Sequence, residues 1–116
     1  MQYTEKFQKL ADDACASVDA VLPEEVDALK AAGATLLDIR DSEEHAKDHI
    51  EGSVNLSRGK LEMLVEGIIP DLDTTVLCYC NAVNRGALSA ATLKNMGYAN
   101  AKFINGGLLK YRKLAK

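Results

Sequence analysis

Cys80 opens the segment Cys80-Asn-Ala-Val-Asn-Arg85, in which a thiol is followed by a guanidinium on the same short stretch. A thiolate is a strong nucleophile, and it is favoured where backbone N–H groups, a helix N-terminus or a fixed positive charge surround the sulfur. The arginine adds a planar fork of donors that matches an oxyanion. Together they describe covalent transfer of a group from an anionic donor. An isolated cysteine is more often a small buried hydrophobe. That simpler reading applies to Cys78 and to Cys15; the functional alternative for Cys78 is a thiol that attacks an oxidised or persulfidated Cys80. Arg58 is a candidate second contact for an anion, against the plainer reading of a solvated surface arginine.

Such a thiol needs a strand to deliver it and a helix to receive it. Thr75-Val-Leu-Cys-Tyr79 is β-branched, aromatic and apolar, and predicts a strand that runs straight into the polar loop from Asn81 to Asn84. The stretch after Arg85 is a good helix former that stops at Gly97. Upstream, Tyr3, Phe7, Leu10 and Ala14 recur at helical spacing and predict an amphipathic helix over about residues 3 to 16. Val18 to Leu22 is a short apolar run, and Pro23-Glu24-Glu25 starts a helix that Gly33 ends.

Ala34 to Ile39 reads as a strand buried on both faces, with Asp38 near its carboxyl end. Asp41 and Glu44 can cap a helix of about residues 42 to 48. Ser53 to Leu56 and Ala101 to Ile104 read as strands, Leu61 to Ile69 and Leu108 to Lys116 as helices. Strands alternating with helices imply an α/β sandwich, helices on both faces of a mostly parallel sheet, with ligands at the carboxyl ends of the strands. Cys80 and Asp38 both fall there.

The chain is the size of one domain over residues 1–116, with 47% hydrophobic residues and a net charge of −3. That charge argues against a general nucleic-acid or membrane-surface binder. No stretch approaches the ~20 apolar residues of a membrane span, and the start lacks a basic segment followed by an apolar one, so a cytoplasmic protein is expected. Three cysteines without a Cys-x-x-Cys or His-x-x-x-His pair give no disulfide framework and no convincing metal site.

Several segments resemble the rhodanese family, in that family's order along nearly the whole chain. Leu36-Leu-Asp-Ile-Arg40 is similar to its Leu-Leu-Asp-Val-Arg segment, and Glu43-Glu-His-Ala-Lys-Asp-His-Ile-Glu-Gly52 to its Glu-Tyr-x-x-Gly-His-Ile-x-Gly. Ser53-Val-Asn-Leu56 and Gly106-Gly107 resemble its Ala-x-Asn-Ile and its last Gly-Gly turn. The resemblance implies a three-layer α/β/α sandwich on a sheet of about five strands. It also implies a sulfurtransferase: Cys80 attacks the outer sulfur of a donor such as thiosulfate, holds it as a persulfide, and passes it to cyanide or a thiol. Arg85 then assists catalysis, and Asn81, Ala82, Val83, Asn84 and Gly86 contact the substrate, with Arg58, on the charge argument above, as a further contact.

No cofactor is implied; a partner protein that exchanges sulfur is compatible with the resemblance. The loop from Cys80 to Arg85 counts six residues, as in the family's sulfurtransferases, whereas its phosphatases and arsenate reductases carry one more to fit a larger anion. The family's loop often reads Cys-x-x-Gly-x-Arg-Ser; Val83 stands here for the glycine and Gly86 for the serine. These departures motivate an alternative, a sulfur carrier or interaction module without turnover of free thiosulfate. A phosphatase or arsenate reductase is a further alternative. By the same resemblance, Asp38 and Arg40 are architectural, with Arg40 bridging Glu44, and His49 is structural.

Overall fold

The polypeptide alternates strands with helices, and the three central strands are apolar enough that both of their faces must be covered. In a computed structural model, which describes residues 2–114, this yields five strands: β1 (Asp19–Val21), β2 (Thr35–Asp38), β3 (Val54–Asn55), β4 (Val76–Tyr79) and β5 (Ala101–Ile104). They form one sheet in the order β1-β5-β4-β2-β3, every neighbouring pair parallel. The helices are α1 (Glu5–Ser17), α2 (Val26–Ala31), α3 (Ser42–Lys47), α4 (Leu61–Ile68), α5 (Asn84–Asn95) and α6 (Gly107–Leu114). The continuation of α6 expected to Lys116 falls, for its last two residues, outside the described ones.

Alternation along the central strand sorts the core into two layers. Val76 and Cys78 of β4 join Leu37, Phe103, Ala87, Leu93 and Ala14 under α1, α4 and α5, while Leu77 and Tyr79 join Leu36, Val26, Ile104 and Leu108 under α2 and α6. The strand order reverses between β2 and β4: the chain leaves β2 outward toward β3 and leaves β4 outward toward β5. Connections that depart in opposite directions leave a crevice at the carboxyl ends of those two strands. Asp38 and Arg40 from one strand, and Cys80 from the other, are delivered to it.

Two details of the sequence reading change. Thr4 caps α1, its hydroxyl accepting the Phe7 N–H at 3.2 Å, but Leu10 points to solvent. The face of α1 that packs on α5 is made of small residues, Ala11 and Ala14, which let the two helices approach closely. Pro23–Glu25 forms a short 3-10 turn before α2 rather than its first α-turn; Glu25 accepts the Leu22 N–H at 2.8 Å, so the poor capping residue Leu22 is relieved by a neighbour's carboxylate.

Candidate active site

Cys80 follows β4 directly and is 3% exposed, at the floor of a cleft of about 760 Å³. Its sulfur accepts a hydrogen bond from the Gly86 N–H at 3.4 Å and sits beside the N-terminus of α5, where unpaired N–H groups carry partial positive charge. Among the described residues, the N–H groups of Asn81, Ala82, Val83, Asn84 and Arg85 donate to no protein acceptor. The expected ring of donors therefore has one member on the sulfur and five free for something placed above it.

The loop is braced from behind by the Gly106-Gly107 turn. Gly106 and Gly107 adopt φ of +92° and +57°, which brings the start of α6 against the loop. There Leu108 N–H donates to the Cys80 carbonyl at 2.9 Å and Leu109 N–H to the Asn81 carbonyl at 3.1 Å. These two ties hold the carbonyls of Cys80 and Asn81 against the start of α6. A side chain at Gly107 has no room: its Cβ falls against the Cys80 carbonyl and within 2.6 Å of the Ala82 carbonyl. Gly107→Ala should destabilise the fold by about 1–3 kcal/mol and slow sulfur uptake in the protein that remains folded; a urea melt paired with an uptake assay checks both.

The departures from the family loop have plain structural reasons. Val83 has φ of −128°, an ordinary value for a β-branched residue, so this loop is closed without any left-handed position. Gly86 lies where a Cβ would come within 3.3 Å of the Cys78 carbonyl and of Tyr79 Cα. The start of α5 is pressed onto the β4 backbone there, and this favours glycine over the family's serine.

Arg85 is half-buried, and both arms of its fork go to Glu44 of α3, at 2.9 and 3.1 Å. The hydrogen bonds from Arg85 hold the Glu44 carboxyl below the usual carboxylate range, against a smaller opposing effect of burial. The expectation that Arg40 bridges Glu44 is corrected: Arg40 is claimed by Asp38, through Nε to Oδ1 at 2.9 Å and a second nitrogen to Oδ2 at 2.7 Å. Two residues apart, Asp38 at the last position of β2 and Arg40 just after it close this bidentate pair locally, which leaves Glu44 to Arg85. Asn81 joins the two pairs, accepting from Arg40 at 3.0 Å and donating to Glu44 at 3.4 Å.

Behind Asp38, His45 Nδ1 lies 2.8 Å from its second oxygen. His49 Nδ1 is 2.7 Å from the His45 carbonyl, and the two rings stack at 3.8 Å. Neither histidine lines the cleft. Cys78 is fully buried one pleat below Cys80, and burial, followed by the proximity of Cys80, pushes its thiol up to about 12. Cys15, on α1, is raised as well, chiefly by burial.

The cleft is lined by Cys80, Asn81, Ala82, Val83, Asn84, Arg85 and Arg58, so seven of the eight residues singled out in sequence meet in one place; Gly86 stands behind, on the sulfur. Three lining residues, Tyr3, Phe7 and Gln8 of the α1 region, were not foreseen. Their signal was present in the apolar stripe of α1, which changes from small Ala14 and Ala11 to large Phe7 and Tyr3 toward the N-terminus. The large end overhangs the loop instead of entering the core.

The Rhodanese-like domain profile matches residues 22–114. The thiosulfate sulfurtransferase GlpE of Pseudomonas fluorescens (strain Pf0-1) is 34% identical over 90 residues, 78% of this chain and 81% of that protein. The thiosulfate sulfurtransferase PspE of Escherichia coli (strain K12) is 30% identical over 74 residues, 64% of this chain and 69% of that one. A solved structure from Rhodopseudomonas palustris CGA009, a protein of unknown function described as a possible tyrosine phosphatase, superposes with a TM-score of 0.87 at 28% identity. It covers 99% of this chain, with 95% of its own length matched.

Proposed function

The chain belongs to the rhodanese-like family, and on that premise we propose that it moves a sulfane sulfur from an anionic donor such as thiosulfate through a persulfide on Cys80. The single observation that carries this reading is the Cys80 sulfur in one cleft with five loop residues whose N–H groups have no protein acceptor among the described residues. Cys80 as thiolate attacks the outer sulfur of thiosulfate; the bond between the two sulfurs of the donor breaks and sulfite leaves with its electron pair. The terminal sulfur of the resulting persulfide carries negative charge where free N–H groups and the helix end are already oriented, so little reorganisation is needed.

Arg85, with its fork already on Glu44, contributes a held positive charge at the rim. Arg58, whose guanidinium has no hydrogen bond or ion pair among the described residues, is the better receptor for the donor's sulfonate. Val83 and Gly86 are accommodated without any non-glycine residue at positive φ, and the loop keeps the Gly86 N–H on the Cys80 sulfur, which supports turnover over a non-catalytic carrier.

Incubation with thiosulfate followed by intact mass analysis should show a gain of one sulfur atom, reversed by cyanide or a thiol. A protein that gains no mass from thiosulfate but cleaves a chromogenic aryl phosphate would overturn the reading in favour of a phosphatase on this scaffold.

A further inference from the structure

We propose that the sulfur acceptor is a small organic thiol carrying an apolar body and a carboxylate, seated between α1 and the Cys80 loop. This deepens the sulfurtransferase reading above and rests on it. The first observation is size. A cleft of about 760 Å³ lies in the range that holds a whole organic ligand, whereas thiosulfate or cyanide has few heavy atoms, and even a water molecule takes only ~30 Å³. The persulfide and an inorganic anion leave most of it empty.

The second observation is the wall. Of four tyrosines and two phenylalanines in the chain, Tyr3 and Phe7 stand together over the loop, ring centroids 5.1 Å apart and planes tilted by 48°. Tyr3 is 50% exposed and Phe7 only partly covered, so their apolar faces are available to a ligand. The wall is fixed to the loop by a reciprocal amide pair, Asn84 donating to Gln8 at 3.2 Å and Gln8 to Asn84 at 3.5 Å. It lies outside residues 22–114, the segment matched by the family profile.

The third observation is charge. Arg40, Arg85 and Arg112 each face a carboxylate; Arg58, on the same cleft, faces none among the described residues. In a chain of net charge −3, an unpaired guanidinium beside an aromatic wall fits a ligand that is anionic at one end and apolar at the other.

The transfer step is a thiol–persulfide exchange. The acceptor thiolate attacks the outer sulfur of the Cys80 persulfide and forms a new S–S bond. The bond to Cys80 Sγ breaks, its electron pair stays on Sγ as the regenerated thiolate, and the outer sulfur leaves with its negative charge on the product, an organic persulfide anion. No oxidant or reductant is consumed.

The test loads the protein with sulfur from thiosulfate, removes the excess, and measures discharge by three alkyl thiols. These are thiolactate, β-phenylthiolactate (the same molecule with benzyl in place of methyl) and phenethyl thiol, which has the ring but no carboxylate. β-Phenylthiolactate should react roughly tenfold or more faster than either of the others at subsaturating concentration. Tyr3→Ser, at a half-exposed position, should erode its advantage over thiolactate; Arg58→Gln should erode its advantage over phenethyl thiol. Both readouts are ratios within one protein sample, so a change in folded fraction does not move them. Equal discharge by all three thiols, or ratios that survive both substitutions, overturns the proposal while leaving the sulfurtransferase reading intact. A protein that loads from neither thiosulfate nor polysulfide defeats both.

Discussion

Cys80→Ser should lose sulfur uptake by at least about a thousandfold, down to the background of the assay, while Cys78→Ser should keep it. The serine hydroxyl is nearly isosteric and leaves the Gly86 contact and the loop ties to Leu108 and Leu109 in place, so the loss reports chemistry and not collapse. Cys78 is the informative contrast. It lies on β4, two residues before Cys80, and belongs to the same layer, yet it sits among Leu37, Val76, Ala87 and Phe103. Burial pushes its thiol up to about 12, which keeps it protonated and unreactive at neutral pH.

Its serine variant buries a hydroxyl without an evident partner and should lower stability by about 1–3 kcal/mol, read from a shifted urea midpoint at unchanged slope. Intact mass analysis after thiosulfate treatment separates the two variants. A Cys78→Ser protein that folds but takes up no sulfur would show that Cys78 takes part in the transfer.

The contrast also shows what kind of information the sequence holds. The strand–loop–helix around Cys80 is legible because its signals are local: a β-branched apolar run, six loop residues and a helix former follow one another. The reversal of strand order between β2 and β4 was not, since alternation implies crossovers between parallel strands but does not say on which side each one lands. Partner choice was not legible. Arg85 and Glu44 are separated by 41 positions, and nothing local tells which of Arg40 and Arg85 takes Glu44; the short span from Asp38 to Arg40 decides it by closing the first pair. The aromatic wall was hidden for another reason. Periodicity marks an apolar face of α1 but not what lies opposite it, and only packing shows that Ala11 and Ala14 meet α5 while Phe7 and Tyr3 pass beyond the edge of the core.

Arg40→Met should destabilise the protein by about 3–5 kcal/mol at neutral pH, because it strands a carboxylate that has no exposed surface. Burial alone would raise the pKa of Asp38. The hydrogen bonds from Arg40, and then from His45, outweigh it and hold the carboxyl below its ordinary range. A folded value below the unfolded one, near ~3.9, means that Asp38 contributes stability above that pH and loses it as pH falls through the lower folded value.

Without Arg40, burial is opposed only by His45 and one backbone N–H, and the folded value moves above the unfolded one. The sign of the linkage then reverses: the variant's Asp38 is best tolerated protonated, and its contribution is lost as pH rises through the raised value. The stability gap between wild type and variant should therefore narrow on acidification, as urea midpoints across a pH series would record. Asp38→Asn in the Arg40→Met background should recover part of the loss, since no charge is left unpaired. A gap that stays constant with pH would place the cost in lost packing. Arg40 also donates to Asn81 at 3.0 Å, so the folded fraction of Arg40→Met should take up sulfur more slowly than wild type, tying the buried pair to the loop that it supports.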